Sequence, residues 1–153
     1  MTVRRYRPGD ADAVQRLHER ALRAEGTDPA DVPGTDDLDR VREAYLDSVG
    51  EFLVVESDDG LIGMGGLKVD GHEGELYRMR VAVDRQGEGV GTRLLAGLER
   101  AARERGVRDL YARTARRQTA AVAFYPANGY EQVGAETHGE YDLVVYRKML
   151  DAD

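Results

Sequence analysis

The sequence predicts a single α/β domain over residues 1–153, built on a mixed, mainly antiparallel sheet flanked by helices. Three observations carry that expectation. Short apolar runs alternate with stretches of helical period in the order β-α-α-β-β-β-α-β-α-β-β. The turn signals Ser57-Asp-Asp-Gly60 and Gly71-His-Glu-Gly74 join consecutive strands. A glycine loop then feeds an amphipathic helix, after which the chain returns as a strand beside the one it left.

Val3 to Arg7 reads as the first strand, and Pro8-Gly9-Asp10 turns it into a helix with Asp10 as cap. Val14, Leu17, Ala21 and Leu22 form that helix's apolar stripe. Glu25 to Asp37 is a polar loop carrying Pro29 and Pro33, and Leu38, Val41, Tyr45 and Val49 predict a second helix. Phe52 to Val55 is a buried strand. Leu61 to Val69 pairs with it, and Gly63, Gly65 and Gly66 predict a bulge or a close approach of another backbone. Glu75 to Val83 forms a central strand ending at the glycine loop. Leu94, Leu95, Leu98, Ala101 and Ala102 then follow a helical period, and Gly106 is placed to stop it. Val107 to Ala112 is a strand, Ala120 to Asn128 a short helix stopped by Gly129, and Tyr130–Val133 with Tyr141–Leu150 a closing strand pair.

At 153 residues, with 41% hydrophobic and 33% charged residues, the chain suits one well-cored globular domain. No apolar run approaches the ~20 residues that span a bilayer, and no secretory h-region follows Met1. The expectation is a cytoplasmic protein without a membrane partner. The absence of cysteine excludes disulfides, thiolate metal sites and a cysteine acyl-enzyme. Ser48 and Ser57 lie in no nucleophile elbow. His18, His72 and His138 lack metal-ligand spacing and read as surface residues, so no metal is expected. A net charge of −7 argues against nucleic acid as a partner. It can draw a cationic substrate, but it reads foremost as a whole-surface property, salt adaptation or arginine-rich codon usage, because only Lys68 and Lys148 are lysine.

The stretch Val81 to Thr92 holds most of the chemistry. A strand end passes through Gly87, Gly89 and Gly91 into a helix start, presenting free backbone N–H groups at the positive end of a helix dipole. That geometry suits a phosphate or pyrophosphate. Thr92-Arg93 stands where a Walker loop needs Lys-Ser or Lys-Thr, and the spacing G-x-G-x-G is not the dinucleotide G-x-G-x-x-G. A glycine-rich turn before an ordinary helix is the alternative.

Gln86-Gly-Glu-Gly-Val-Gly91 resembles Q/R-x-x-G-x-G/A, the acetyl-CoA pyrophosphate loop of the GNAT acetyltransferase superfamily. Glu75-Leu-Tyr-Arg-Met-Arg-Val81 is similar to that family's E-x-x-R-x-x-V strand, and Ala123-Phe-Tyr-Pro-Ala-Asn-Gly-Tyr130 to its A-x-x-F/Y-Y-x-x-x-G-F/Y segment. With the element order, the resemblance covers nearly the whole chain. It implies a GNAT-like fold and direct transfer of an acetyl group from acetyl-CoA to a primary amine on a small molecule or a protein, with room for a homodimer. It places the cofactor on Val81, Ala82, Val83, Gln86, Gly87, Glu88, Gly89, Val90, Gly91 and Thr92, with Gln118 where the family often has asparagine. Pro126 departs from the pattern as well, and it predicts a distorted last turn beneath Tyr125.

The amine must lose a proton and the departing thiolate must gain one. Tyr125 is the family-matched acid, since a phenol of ordinary pKa ~10 stays protonated at neutral pH. Glu75 is the candidate base, directly or through water, its alternative being an edge carboxylate that fixes a turn or pairs with Arg78, and Glu25 is a substrate-side candidate. The backbone from Val81 to Val83 is expected along the pantetheine, with the Val81 N–H as oxyanion donor. A non-catalytic acetyl-CoA-binding sensor or interaction module is the other reading of the same motifs.

Overall fold

The computed structural model describes residues 1–27 and 35–151. Its strands are β1 (Thr2–Arg5), β2 (Glu51–Ser57), β3 (Gly60–Asp70), β4 (Glu73–Val81), β5 (Asp109–Ala115), β6 (Glu131–His138) and β7 (Tyr141–Met149). The helices are α1 (Ala11–Ala24), α2 (Val90–Glu104) and α3 (Thr119–Ala127). The strands form one sheet in the order β1-β2-β3-β4-β5-β7-β6, antiparallel except where β4 meets β5. The expected mixed, mainly antiparallel sheet flanked by helices is therefore the fold.

Both faces of the central strands are covered, which is why Phe52 to Val55 is a continuous apolar run rather than an alternating one. Leu53 and Val55 pack with Leu94, Leu95 and Leu98 of α2. Phe52 and Val54 face the other way, against Val14 and Leu17 of α1 and against Leu38, Val41 and Tyr45. The glycines of β3 permit this double packing. A Cβ on Gly65 would lie 2.5 Å from the Met79 sulfur, and one on Gly66 would lie 2.6 Å from the Tyr45 ring.

Three local expectations are corrected. The segment around Leu38, Val41 and Tyr45 is a 3-10 turn (Thr35–Asp39) followed by a π turn (Arg42–Leu46), not an α-helix. Its backbone bonds change length along the way, from Arg40 N to Asp37 O, Ala44 N to Arg40 O and Asp47 N to Arg42 O. This irregular winding still buries Leu38, Val41 and Tyr45, while Val49 is exposed. Asp10 does not cap α1 with its side chain. It accepts from the Arg7 N–H at 2.8 Å and pairs with Arg4, closing the preceding 3-10 turn (Pro8–Asp10). His18 is buried, only 2% exposed, because it falls on the same stripe as Val14 and Leu22. Pro29 and Pro33 of the expected polar loop lie outside the described residues.

Candidate active site

The parallel pairing of β4 with β5 runs only from Glu73 opposite Asp109 to Leu76 opposite Ala112. Beyond it β5 continues on β7 and β4 on β3, so the two strands part. The cause is a bulge in β4. Between the pairs Gly66–Tyr77 and Met64–Arg80, β4 has two residues where β3 has one. Arg78, inside the bulge, has φ 57°, a left-handed conformation unusual for a residue with a side chain. Its guanidinium is held by Asp37 at 3.0 Å, and Asp37 also accepts the Tyr45 hydroxyl.

The parting leaves backbone groups of β4 without a strand partner. Ala82 N–H donates to Ile62 O at 2.8 Å, on the β3 side. Antiparallel alternation then turns the N–H and C=O of Val81 to the opposite edge, the one β5 has left. The Ala82 N–H is spent on β3, and Val83 is exposed in a 3-10 turn (Val83–Arg85).

The glycine loop lies at the same end. Gly87 and Gly89 both have φ +83° with no neighbouring atom to meet a Cβ. Gly89 is the residue before α2, and the first bond of the helix runs from Arg93 N to Gly89 O. The N–H groups of Val90, Gly91 and Thr92 precede that bond and have no intrahelical acceptor. Val90 buries its side chain and Gly91 abuts Phe124, so both present only backbone outward. Gln86 and Glu88 are exposed, Arg85 joins Glu88 to Asp59, and the Thr92 hydroxyl reaches Asn128 at 3.4 Å. This set of donors fits a pyrophosphate better than it fits a plain turn.

Tyr125 sits on α3 among rings, stacked on Tyr146 at 5.5 Å and edge-on to Phe124 and Tyr130. Burial pushes its phenol above the ordinary value, with the Arg80 charge opposing. Its hydroxyl has no hydrogen-bond partner among the described residues. The proline after it does not break the helix. Asn128 N and Tyr130 N both return to the Tyr125 carbonyl at 3.0 Å, ending α3 there.

Glu75 is not beside Tyr125. It lies at the start of β4, where its carboxylate pairs with Arg113, which also holds Glu136 at 3.2 Å. Gln118 precedes α3, accepts from Thr114 at 2.7 Å, and donates to Glu25 at 2.7 Å. Glu25 at the end of α1 is thereby tied to the start of α3. The sequence singles out neither Arg80, Asp37 nor Arg113. The E-x-x-R-x-x-V match marks Arg78 but gives no sign of the bulge that sets its direction.

The model of the acetyltransferase (GNAT) family matches residues 12–130. A mycothiol acetyltransferase of Sanguibacter keddieii is 33% identical over 138 residues, covering 85% of this chain and 43% of that protein. The chain thus spans less than half the length of the mycothiol acetyltransferases it matches. Among solved structures, a GNAT-family acetyltransferase from Staphylococcus aureus superposes with TM-score 0.87 at 20% identity, covering 98% of this chain and 99% of the other. The yncA structure from Salmonella typhimurium, solved with its cofactor acetyl-CoA, gives TM-score 0.77 at 21% identity and covers 99% and 95%. At these identities the structures speak for the fold.

Proposed function

The chain belongs to the GNAT acetyltransferase family, and from that premise we propose that it transfers acetyl from acetyl-CoA directly to a primary amine. The parting of β4 from β5 next to the open N–H groups of α2 is the observation that carries this reading. Acetyl-CoA supplies the acetyl group as a thioester and leaves as the thiol. The loop from Gln86 to Gly91 and the N–H groups of Val90, Gly91 and Thr92 hold its pyrophosphate. The Val81 edge directs its pantetheine into the parting, beside Ala82 and Val83. Gln118 lines the α3 side.

Chemistry follows from the groups that border the parting. The amine nitrogen attacks the thioester carbonyl, and the Val81 N–H steadies the oxygen that gains charge. As the C–S bond breaks, Tyr125 gives its proton to the sulfur. Burial keeps the phenol protonated for that role. The proton lost by the nitrogen passes to Glu75, through water because the carboxylate stands apart from Tyr125 and is clamped by Arg113. No residue accepts the acetyl group on the way, since the chain has no cysteine and neither serine borders the parting. Such chemistry belongs in the cytoplasm, where acetyl-CoA is made and used.

Initial rates measured with both substrates varied test direct transfer. Intersecting lines are expected, whereas parallel lines would require a covalent acetyl-enzyme and contradict the proposal.

A further inference from the structure

We infer that the acceptor carries a carboxylate a few bonds from its amine, as an α-amino acid does, and that Arg80 receives it. The inference rests on the acetyl-transfer reading above. Its foundation is the bulge in β4. Met79 and Val81 point to the α2 side, where they approach the Cβ positions of Gly65 and Gly91. Alternation therefore turns Arg80 to the opposite face, toward α1.

There Arg80 has no ion-pair partner among the described residues. Arg4, Arg5, Arg78, Arg85, Arg105 and Arg113 each pair with a carboxylate. Among the described residues Arg80 has no such pair. Its one hydrogen bond among the described residues runs from Nη1 to the Met79 carbonyl at 3.1 Å, and its buried Nε has no acceptor. Burial disfavours its charge, with Glu25 supporting it from beyond ion-pair distance and Arg78 opposing. A half-buried guanidinium whose Nε meets neither solvent nor an acceptor is costly for a fold to keep, and an incoming anion lowers that cost.

His18 adds a second unmatched group. It is 2% exposed, and neither ring nitrogen has a partner. Burial, then the charges of Arg80 and Arg78, hold it neutral, so it offers one donor and one acceptor. Among the described residues, the carboxylates that act on Arg80 and His18 are already engaged. Asp37 holds Arg78, and Glu25 accepts from Gln118. A carboxylate from outside is the complement that the described residues leave unsupplied.

The position also suits the reaction. The Arg80 charge reaches the Tyr125 phenol and opposes the rise that burial causes there. A carboxylate seated on Arg80 leaves an amine two bonds away at the mouth of the parting, near the acid.

The test uses pairs with the same side chain, amino acids against their amides, with turnover compared per free amine because the amide also lowers the amine pKa. In turnover, kcat/KM should favour the acid at least tenfold for the preferred side chain, and Arg80→Gln should bring the ratio close to one. Independently of turnover, calorimetry with CoA present should show N-acetyl amino acids binding at least tenfold tighter than their amides. Arg80→Lys, which keeps the charge if the glutamine variant does not fold, should retain part of the preference. Acid and amide binding equally to the wild-type chain would overturn the inference. Carboxylate-selective binding with no amine turnover would uphold the subsite and defeat the acetyl-transfer reading instead.

Discussion

The Tyr146 hydroxyl donates to the carbonyl of Val122 at 3.3 Å. Val122 lies four residues before Pro126, so its carbonyl is the one from which the proline withholds a helical N–H. The same Tyr146 ring stacks on Tyr125. One residue of β7 thus completes a helix that proline would otherwise leave open and supports the candidate acid on it.

Tyr146→Phe should therefore destabilise the fold by about 1 kcal/mol, the net worth of one hydrogen bond. In a Pro126→Ala background the helix regains its N–H, and the cost should shrink by about 0.5 kcal/mol or more. Urea unfolding of the four proteins measures the coupling. Equal costs in both backgrounds would mean that the hydroxyl does not replace the missing bond.

Tyr125→Phe keeps the ring in its stack and removes only the hydroxyl. Turnover should fall roughly 10- to 1000-fold with acetyl-CoA affinity little changed. Because burial raises the phenol's pKa, the acid stays protonated through and beyond pH 10, its ordinary range. No alkaline loss of rate below that pH should vanish with the hydroxyl. Wild-type turnover in the folded variant would return Tyr125 to a packing role.

Much of this arrangement is legible in the sequence, and the rest fails for physical reasons. The glycine loop, α2 and the strand order follow from period and turn residues, which act locally. The second helix fails because the spacing of Leu38, Val41 and Tyr45 fits any helical winding, and the Asp37 bonds to Tyr45 and Arg78 involve partners distant in sequence. His18 was legible, since its position four after Val14 and four before Leu22 puts it on the buried stripe. The bulge at Arg78 was not. No residue type marks it, and it alone decides that Arg80 faces α1.

Glu75→Gln should separate a base from a structural carboxylate. If Glu75 takes the amine proton, the variant's loss should be greatest at low pH and partly recovered at high pH, where free amine is abundant. Rates across pH 6 to about 10 decide this. A uniform loss would assign Glu75 to holding Arg113, and no loss would leave deprotonation to solvent.

His18 predicts a pH dependence of stability. Burial lowers its pKa from the ordinary 6.5 to about 4 in the fold. In that window the unfolded chain binds more protons than the folded one, so His18 favours folding above pH 6.5 and its contribution is lost as pH falls toward 4. Between neutral pH and pH 5 the loss should be about 2 kcal/mol. Urea unfolding of His18→Leu should show a flatter profile over the same interval. A profile identical to that of the wild type would contradict the buried neutral imidazole.

The opening between β4 and β5 either performs acetyl transfer or holds acetyl-CoA alone. A broad panel of amines, amino acids and amine-bearing peptides, screened for CoA release beside calorimetric binding of acetyl-CoA, separates the two. Acetyl-CoA should bind, and CoA should be released in step with acetylation of at least one amine, at a rate that collapses in Tyr125→Phe. Tight acetyl-CoA binding with no amine-dependent release across the panel would contradict acetyl transfer and leave a cofactor-binding sensor.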